Sequence, residues 1–331
     1  MINVMTGEPI SREMNDVLSR LDRYENVPLE EIMNLKEIKE ANDCVVGYEQ
    51  TYNKKGRESI RDGVFKRLQQ MGSVVFDTQG KAVHIGDVEK GRRLDIVIGL
   101  SGSGKSSAIV EPLSSLYHSR IIDSDFAKKL LPEYNGGWGT NIVHKESQLI
   151  AERQTVITLK NNENMIHARA TADINALKKT ILQAKSNGYY VYVHYLELHS
   201  NKAMGRMLRR FLETGRYIPP DVVAYGSDKI SQSFELLKNE INLLDGYSHW
   251  DNDVPYKASP RIIEYSASCR DFCEYMNRSS LEKTNLKIIH DKINEVNAIM
   301  RENPQLLREF KKAQSDYRKK KIKKKNTIKQ G

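Results

Sequence analysis

The residues best suited to chemistry begin at Gly99-Leu100-Ser101-Gly102-Ser103-Gly104-Lys105-Ser106, which matches the spacing G-x-x-x-x-G-K-[ST] and is followed by Ser107. Glycines at these positions let successive backbone N–H groups turn inward onto phosphate oxygens, and the next helix adds the positive end of its dipole. Lys105 reaches the β and γ phosphates of a nucleotide such as ATP, and the Ser106 hydroxyl suits Mg2+. Further along, Ile121-Ile122-Asp123-Ser124-Asp125 ends an apolar run in two carboxylates. One can order Mg2+, directly or through water, and the other can accept a proton from an attacking hydroxyl. The same pair also suits a solvated turn in which Asp125 caps a helix at Phe126. A third group is Arg206, Arg209, Arg210 and Arg216, before Pro219-Pro220. Guanidinium groups suit the oxygens of a transferring phosphoryl group, although helical arginines are more often solvated or salt-bridged. Arg210 and Arg216 stand out because they directly follow the last core strand.

These groups need elements to carry them. Leu94 to Ile98 reads as a buried strand entering the glycine-rich loop, and Ala108-Ile109-Val110 opens the helix after it. A second strand runs from Ser119 to Asp123. A helix from about His144 to Asn161, a short apolar piece from Asn164 to His167, a helix from Asp173 to Ser186 and a long strand from Tyr189 to Leu198 follow. This alternation predicts an α/β fold, a mostly parallel sheet wrapped by helices, with ligands at the carboxyl ends of its strands. Expected continuation of the second strand places Asp123 and Asp125 on one side of the sheet.

The flanks carry patterns without chemistry. Met14, Val17, Leu18 and Leu21, then Leu29, Ile32, Met33, Leu35 and Ile38, then Ile60, Val64, Phe65 and Leu68 predict three amphipathic helices. A hairpin of Val74 to Phe76 and Ala82 to Ile85 around Gly80 completes residues 1–90, a segment expected to pack on the core or to form an oligomer interface. Residues 91–250 form the predicted catalytic core. Residues 251–317 read as mostly helical, with Phe234 to Leu244 and Leu281 to Met300 as helical runs, and residues 318–331 read as a disordered basic tail.

The net charge of +9 lies in that tail: residues 318–331 hold eight basic and no acidic residues, leaving 44 basic against 43 acidic in the rest. Such a tail is a solvated terminus or a contact for RNA or an acidic partner. No stretch approaches the length of a membrane span, and the N-terminus does not read as a signal peptide, so a cytoplasmic protein without membrane contact is expected. Cys44, Cys269 and Cys273 are too few and scattered for a disulfide framework and read as reduced structural thiols.

From Arg92 to Val223 the chain resembles the zeta toxins, phosphate-loop kinases of small molecules. Besides the loop, IIDSDFAKKLLPEY is similar to the family's D-x-D strand end with its helix and proline. VHKESQLIAERQ is similar to its next helix, and MGRMLRRFLETGRYIPPDVV to its arginine lid. The resemblance implies an ATP- and Mg2+-dependent kinase acting on a hydroxyl of a nucleotide-activated sugar, UDP-N-acetylglucosamine in the family. It further implies the toxin of a toxin–antitoxin system with an antitoxin partner. It gives Lys105 and Ser106 the phosphate and Mg2+ roles, Asp125 that of general base, Arg210 and Arg216 the γ-phosphate, and Glu152 a place at the substrate. Asp123 is then the metal partner. Where the family has Glu-Gly-Thr after its third core strand, this chain has Met165-Ile166-His167-Ala168-Arg169-Ala170-Thr171, which makes His167 and Arg169 acceptor candidates. Tyr189 to Leu198 holds only Glu197 as an acid, unlike the Asp-ended strand of motor ATPases. The alternative is a nucleotide-gated protein that binds RNA or a partner protein through the basic tail.

Overall fold

A computed structural model describes residues 1–4, 6–45, 50–76, 82–137, 139–169, 173–240, 242–255 and 258–280. Residues Met1–Met276 form one compact unit and Asn277–Gly331 a second. The strands are β1 (Ser73–Phe76), β2 (Ala82–Gly86), β3 (Arg93–Ile98), β4 (Arg120–Ile122), β5 (Met165–Arg169), β6 (Tyr190–Glu197), β7 (Gly246–Asp251) and β8 (Arg261–Tyr265). The helices are α1 (Arg12–Asp22), α2 (Leu29–Met33), α3 (Lys36–Val45), α4 (Glu58–Gln70), α5 (Glu111–Tyr117), α6 (Ser124–Leu130), α7 (His144–Lys160), α8 (Ile174–Ser186), α9 (Ser200–Thr214), α10 (Pro220–Ala224) and α11 (Gly226–Asn239). A π-helical turn, Ser106–Val110, leads from the glycine-rich loop into α5.

β1 and β2 form the expected small hairpin, whose Gly80 segment lies outside the described residues. The remaining six strands form one sheet in the order β4-β5-β3-β6-β7-β8, parallel throughout except for β8. β3 sits inside this sheet and is buried on both faces, as its continuous Leu94-to-Ile98 run with an embedded Asp95 permits. On one face Leu94, Ile96, Met165, Val191 and Val193 share a core with α1, α8, α9 and α11. On the other, Val97, Ile121, Ile166, Leu196 and Trp250 pack with Ile109, Leu113, Phe272 and Cys273. Cys269 and Cys273 are free buried thiols in that layer.

A polar rung crosses this second apolar layer. Asp95 is fully buried and accepts from Arg93 Nε (2.8 Å), Arg93 Nη2 (2.7 Å) and His194 Nε2 (2.9 Å). His194 Nδ1 lies 2.7 Å from Ser248 Oγ, which also accepts from Trp250 Nε1 at 2.6 Å. The Arg93 guanidinium is held between the Tyr117 and Tyr192 rings, 3.7 and 3.8 Å from their centroids. Burial pushes the Asp95 carboxyl up, but Arg93 and His194 outweigh it and hold it below the ordinary range.

Three expectations need correction. The second strand stops at Ile122, so Asp123 and Asp125 do not alternate along it. The Phe234 to Leu244 helix ends at Asn239 and gives way to β7, whose buried positions are Gly246, Ser248 and Trp250; two of the three are small or polar, which hid the strand. Residues 251–280 contain β8 before a helix over residues 270–280. The Leu281 to Met300 run and the basic tail lie outside the described residues.

The first ninety residues pack on the core. Val64 and Leu68 of α4 meet Ala127, Leu131 and Ile150 of α6 and α7. Met14, Val17, Leu18 and Leu21 of α1 join the cluster of Met204, Met207, Leu208 and Phe211 on α9.

Candidate functional site

The glycine-rich loop leaves the carboxyl end of β3 and is shaped by its neighbours. Gly102 and Gly104 have φ of +86° and +89°, in the left-handed region that glycine tolerates. A Cβ on Gly102 would stand 2.5 Å from Ala203 O of α9, and one on Gly104 2.8 Å from Asn252 Nδ2. Asn252, just after β7, donates to Ser103 O at 2.6 Å while its own N–H donates to Glu197 O at 2.9 Å. Lys105 folds back to donate to Gly99 O (2.7 Å) and Leu100 O (2.8 Å), and burial pushes its ammonium down to about 8. Ser106 and Ser107 are exposed at the start of the π-helical turn.

Asp123 is the N-cap of α6: its Oδ1 accepts from Asp125 N at 2.9 Å. Capping therefore falls to Asp123, and Asp125 lies in the first turn. Asp125 is paired with Arg216 and accepts from Lys128 Nζ at 3.0 Å. Burial pushes its carboxyl up, but Arg216 and Lys128 overcome this and hold it below the usual range. Burial, with the neighbouring Asp125 charge, raises Asp123 instead. Two adjacent carboxylates thus differ in charge preference, an arrangement suited to distinct roles. Mg2+ takes hard oxygen ligands and usually combines one or two protein oxygens with nucleotide phosphates. The Ser106 hydroxyl and the second Asp123 oxygen fit that demand. Among the described residues no cluster of three or more His, Cys, Asp or Glu could hold a metal alone.

α9 follows β6 and brings the arginines. Gly215, at φ 71°, ends the helix and turns the chain so that Arg216 reaches Asp125. Arg210 is open to solvent, and partial burial together with the Arg216 charge lowers its guanidinium. Arg209 faces the N-terminal segment and pairs with Asp22, whereas Arg206 lies beside the glycine-rich loop, its Nη1 3.8 Å from where a Cβ on Gly104 would stand, and near Asp253 and Tyr24. Tyr24 donates to Asp253 (2.7 Å to Oδ1), which also pairs with Lys202. Arg216 has a further support. A Cβ on Gly137 would stand 2.9 Å from Thr214 O and 3.1 Å from Arg216 N, so the turn Pro132–Gly137 lies against the arginine-bearing segment. Glu133 of that turn accepts from Arg57 Nη1 (2.6 Å) and Nη2 (2.9 Å). Arg57 also donates to Glu146 (Nε 3.1 Å, Nη2 2.7 Å), joined by Arg61 Nε at 3.0 Å. Glu146 is fully buried, yet these cations hold its carboxyl down.

The structure brings Lys105, Asp123, Asp125, Arg210 and Arg216 into mutual electrostatic reach. Glu152 is exposed on α7, where its charge reaches Arg169. His167 is only 1% exposed and is turned toward Thr155 and Arg169. Asn252, Lys128 and the Arg57–Glu146 network escaped the sequence reading. Lys128 alone left a trace, a cation three residues beyond Asp125 on a predicted helix.

A phosphate-binding loop on the central strand of a parallel sheet ordered β4-β5-β3-β6-β7, with carboxylates following β4, one strand further out, and an arginine-bearing helix, defines a P-loop kinase-like fold. A model of the zeta toxin family matches residues 87–253, half of the chain, and the chain belongs to that family. A solved structure from the PezAT chromosomal toxin–antitoxin system of Streptococcus pneumoniae is similar at 16% identity, covering 72% of this chain and 96% of that one, with a TM-score of 0.50. The AvrRxo1-ORF1:-ORF2 complex with ATP is similar at 14% identity over 66% of this chain and 72% of that one, with a TM-score of 0.46. No match was found among curated proteins.

Proposed function

We propose that the protein is an ATP-dependent kinase that phosphorylates a hydroxyl of a nucleotide-activated sugar such as UDP-N-acetylglucosamine, and that it acts as the toxin of a toxin–antitoxin pair. The observation carrying this reading is the Arg216–Asp125 ion pair beside the phosphate loop, which joins a candidate base to a candidate phosphate ligand. An incoming γ-phosphate competes for Arg216. Its departure frees Asp125 to take a proton from the acceptor hydroxyl. Lys105 exchanges the carbonyls of Gly99 and Leu100 for phosphate oxygens, and Arg210 joins Arg216 on the transferring group. Ser106 and Asp123 would hold Mg2+, which would supply charge neutralisation for the phosphates.

The test is phosphate transfer from labelled ATP to a panel of nucleotide sugars. Asp125→Asn is expected to lower transfer about 10²- to 10⁴-fold, the usual contribution of a general base, while ATP binding persists. Unchanged turnover removes Asp125 from that role. Growth arrest on expression that requires Asp125 supports the toxin assignment, and harmless expression of an active kinase removes it.

A further inference from the structure

Several arginines around the site carry their own counter-ions: Arg57 bonds Glu133 and Glu146, Arg209 pairs with Asp22, and Arg216 with Asp125. Arg206 does not. It is half-buried on α9, with Nη1 3.8 Å from where a Cβ on Gly104 would stand, so its guanidinium lies against the phosphate loop. Among the described residues no carboxylate comes within ion-pairing distance of it, and Asp253 attracts it only from further away. Asp253 is already engaged. The Tyr24 hydroxyl stands 2.7 Å from its Oδ1 and 2.8 Å from its Oδ2, and Lys202 completes the cluster. A half-buried cation beside the loop, with the nearest carboxylate held by other groups, is set to receive an anion.

Tyr24 stands where another residue would cost less. It follows Arg23, the C-cap of α1, at φ 61°, in the left-handed conformation that glycine adopts most readily. A tyrosine there strains the backbone, yet it supplies the hydroxyl that engages Asp253. Its place is held from α9 and the residue before it: the His199 ring meets the Tyr24 ring edge-on at 5.1 Å, Asn201 Nδ2 donates to Glu25 O at 2.6 Å, and Arg209 pairs with Asp22. Tyr24 also lies outside residues 87–253, the part matched by the zeta toxin model.

We infer that the N-terminal segment takes part in the nucleotide site: by engaging Asp253, Tyr24 keeps the Arg206 guanidinium free for the phosphates of the donor. Arg206 is the binding residue and Tyr24 a positioning residue. Without the Tyr24 hydroxyl, Asp253 is free to pair with Arg206 and to draw it from the loop. This rests on the kinase reading, in which the loop holds ATP. The full-length protein is titrated by calorimetry with a non-hydrolysable ATP analogue and Mg2+, with no acceptor present, so that any loss is a loss of donor binding. Analogue affinity is expected to fall by about tenfold or more in Arg206→Met, to recover in part in Arg206→Lys, and to fall about three- to tenfold in Tyr24→Phe. Adding Asp253→Asn to Tyr24→Phe is expected to bring affinity back to within about twofold of Asp253→Asn alone, a rescue that a merely structural contact does not produce. Wild-type affinity in folded Arg206→Met overturns the inference, as does wild-type affinity in Tyr24→Phe or a Tyr24→Phe loss that Asp253→Asn leaves in place. Failure of the wild type to bind the analogue overturns the kinase reading instead, so the two failures are distinguishable.

Discussion

Replacing Glu146 by glutamine tests how the N-terminal segment supports the site. The substitution keeps the side-chain volume and removes a charge that is fully buried and accepts three guanidinium N–H groups, at 3.1, 2.7 and 3.0 Å. Breaking a buried ion pair by neutralising one partner costs about 3–5 kcal/mol. The lower end applies here, because Arg57 keeps Glu133 and Arg61 keeps the Tyr52 carbonyl. A loss of about 3 kcal/mol is a large share of the roughly 5–15 kcal/mol that holds a domain folded. With about 2–4 °C per kcal/mol for a unit of this size, the melting midpoint falls by about 6–12 °C. Urea unfolding followed by circular dichroism gives the free energy directly. Removing Arg57 and Glu146 together, by Arg57→Met with Glu146→Leu, is expected to cost less than breaking the pair from one side. At temperatures where Glu146→Gln remains folded, phosphoryl transfer falls while ATP affinity holds, because the turn anchored by Glu133 backs Arg216 rather than the loop. A stability change under about 1 kcal/mol would refute the claim that this network is desolvated and structurally required.

Other perturbations reach separate parts of the site. Asn252→Ala leaves the Ser103 carbonyl without its buried donor and is expected to cost about 1–3 kcal/mol, with a smaller rise in melting temperature on adding ATP than the wild type shows. Gly102→Ala forces a side chain into a left-handed backbone, at about 1–2 kcal/mol, and pushes against Ala203 O; a folded variant that no longer binds ATP is expected, and normal binding contradicts the loop geometry. Stability should also depend on His167. The folded protein keeps this ring neutral down to about pH 3, whereas the unfolded chain protonates it near 6.5, so its contribution is full above 6.5 and is lost as pH falls toward 3. His167→Gln should flatten urea stability over that window by up to about 1.4 kcal/mol per pH unit; an unchanged slope means the ring protonates alike in the folded and unfolded chain.

The parts of this protein that could be read from sequence are those whose partners lie close by in the chain. The phosphate loop, its strand and its helix form one continuous stretch, and the alternation of Leu94 to Leu198 points to a parallel sheet because the buried strand positions there are mostly apolar, Asp95, Arg120, His167 and His194 being exceptions. β7 escaped because Gly246 and Ser248 fill inward positions: Ser266 and Ser268 leave no room for a side chain on Gly246, and Ser248 is needed as the partner of His194 and Trp250. Asp123 was placed in a strand, but its side chain satisfies an orphan N–H of α6, so capping overrode alternation. Asn252 stands 149 residues from the carbonyl it supports, a separation no local pattern bridges. For His167, residue type suggested a ligand, whereas burial makes it a spacer between α7 and Arg169.

The rung from Arg93 through Asp95, His194 and Ser248 to Trp250 also governs how the strands assemble. It pins three parallel strands whose carboxyl ends launch the phosphate loop, the arginine helix and Asn252. If β6 slid by one residue, His194 would turn into the apolar layer under α8 and α11, and Asp95 would lose its imidazole partner and keep only Arg93. A slide of two residues restores the facing but moves the imidazole about 7 Å from its partner. A shifted register therefore costs the Asp95–His194 bond and leaves a buried imidazole without its carboxylate, so the native register, which sets the three launching points at a common height, is favoured.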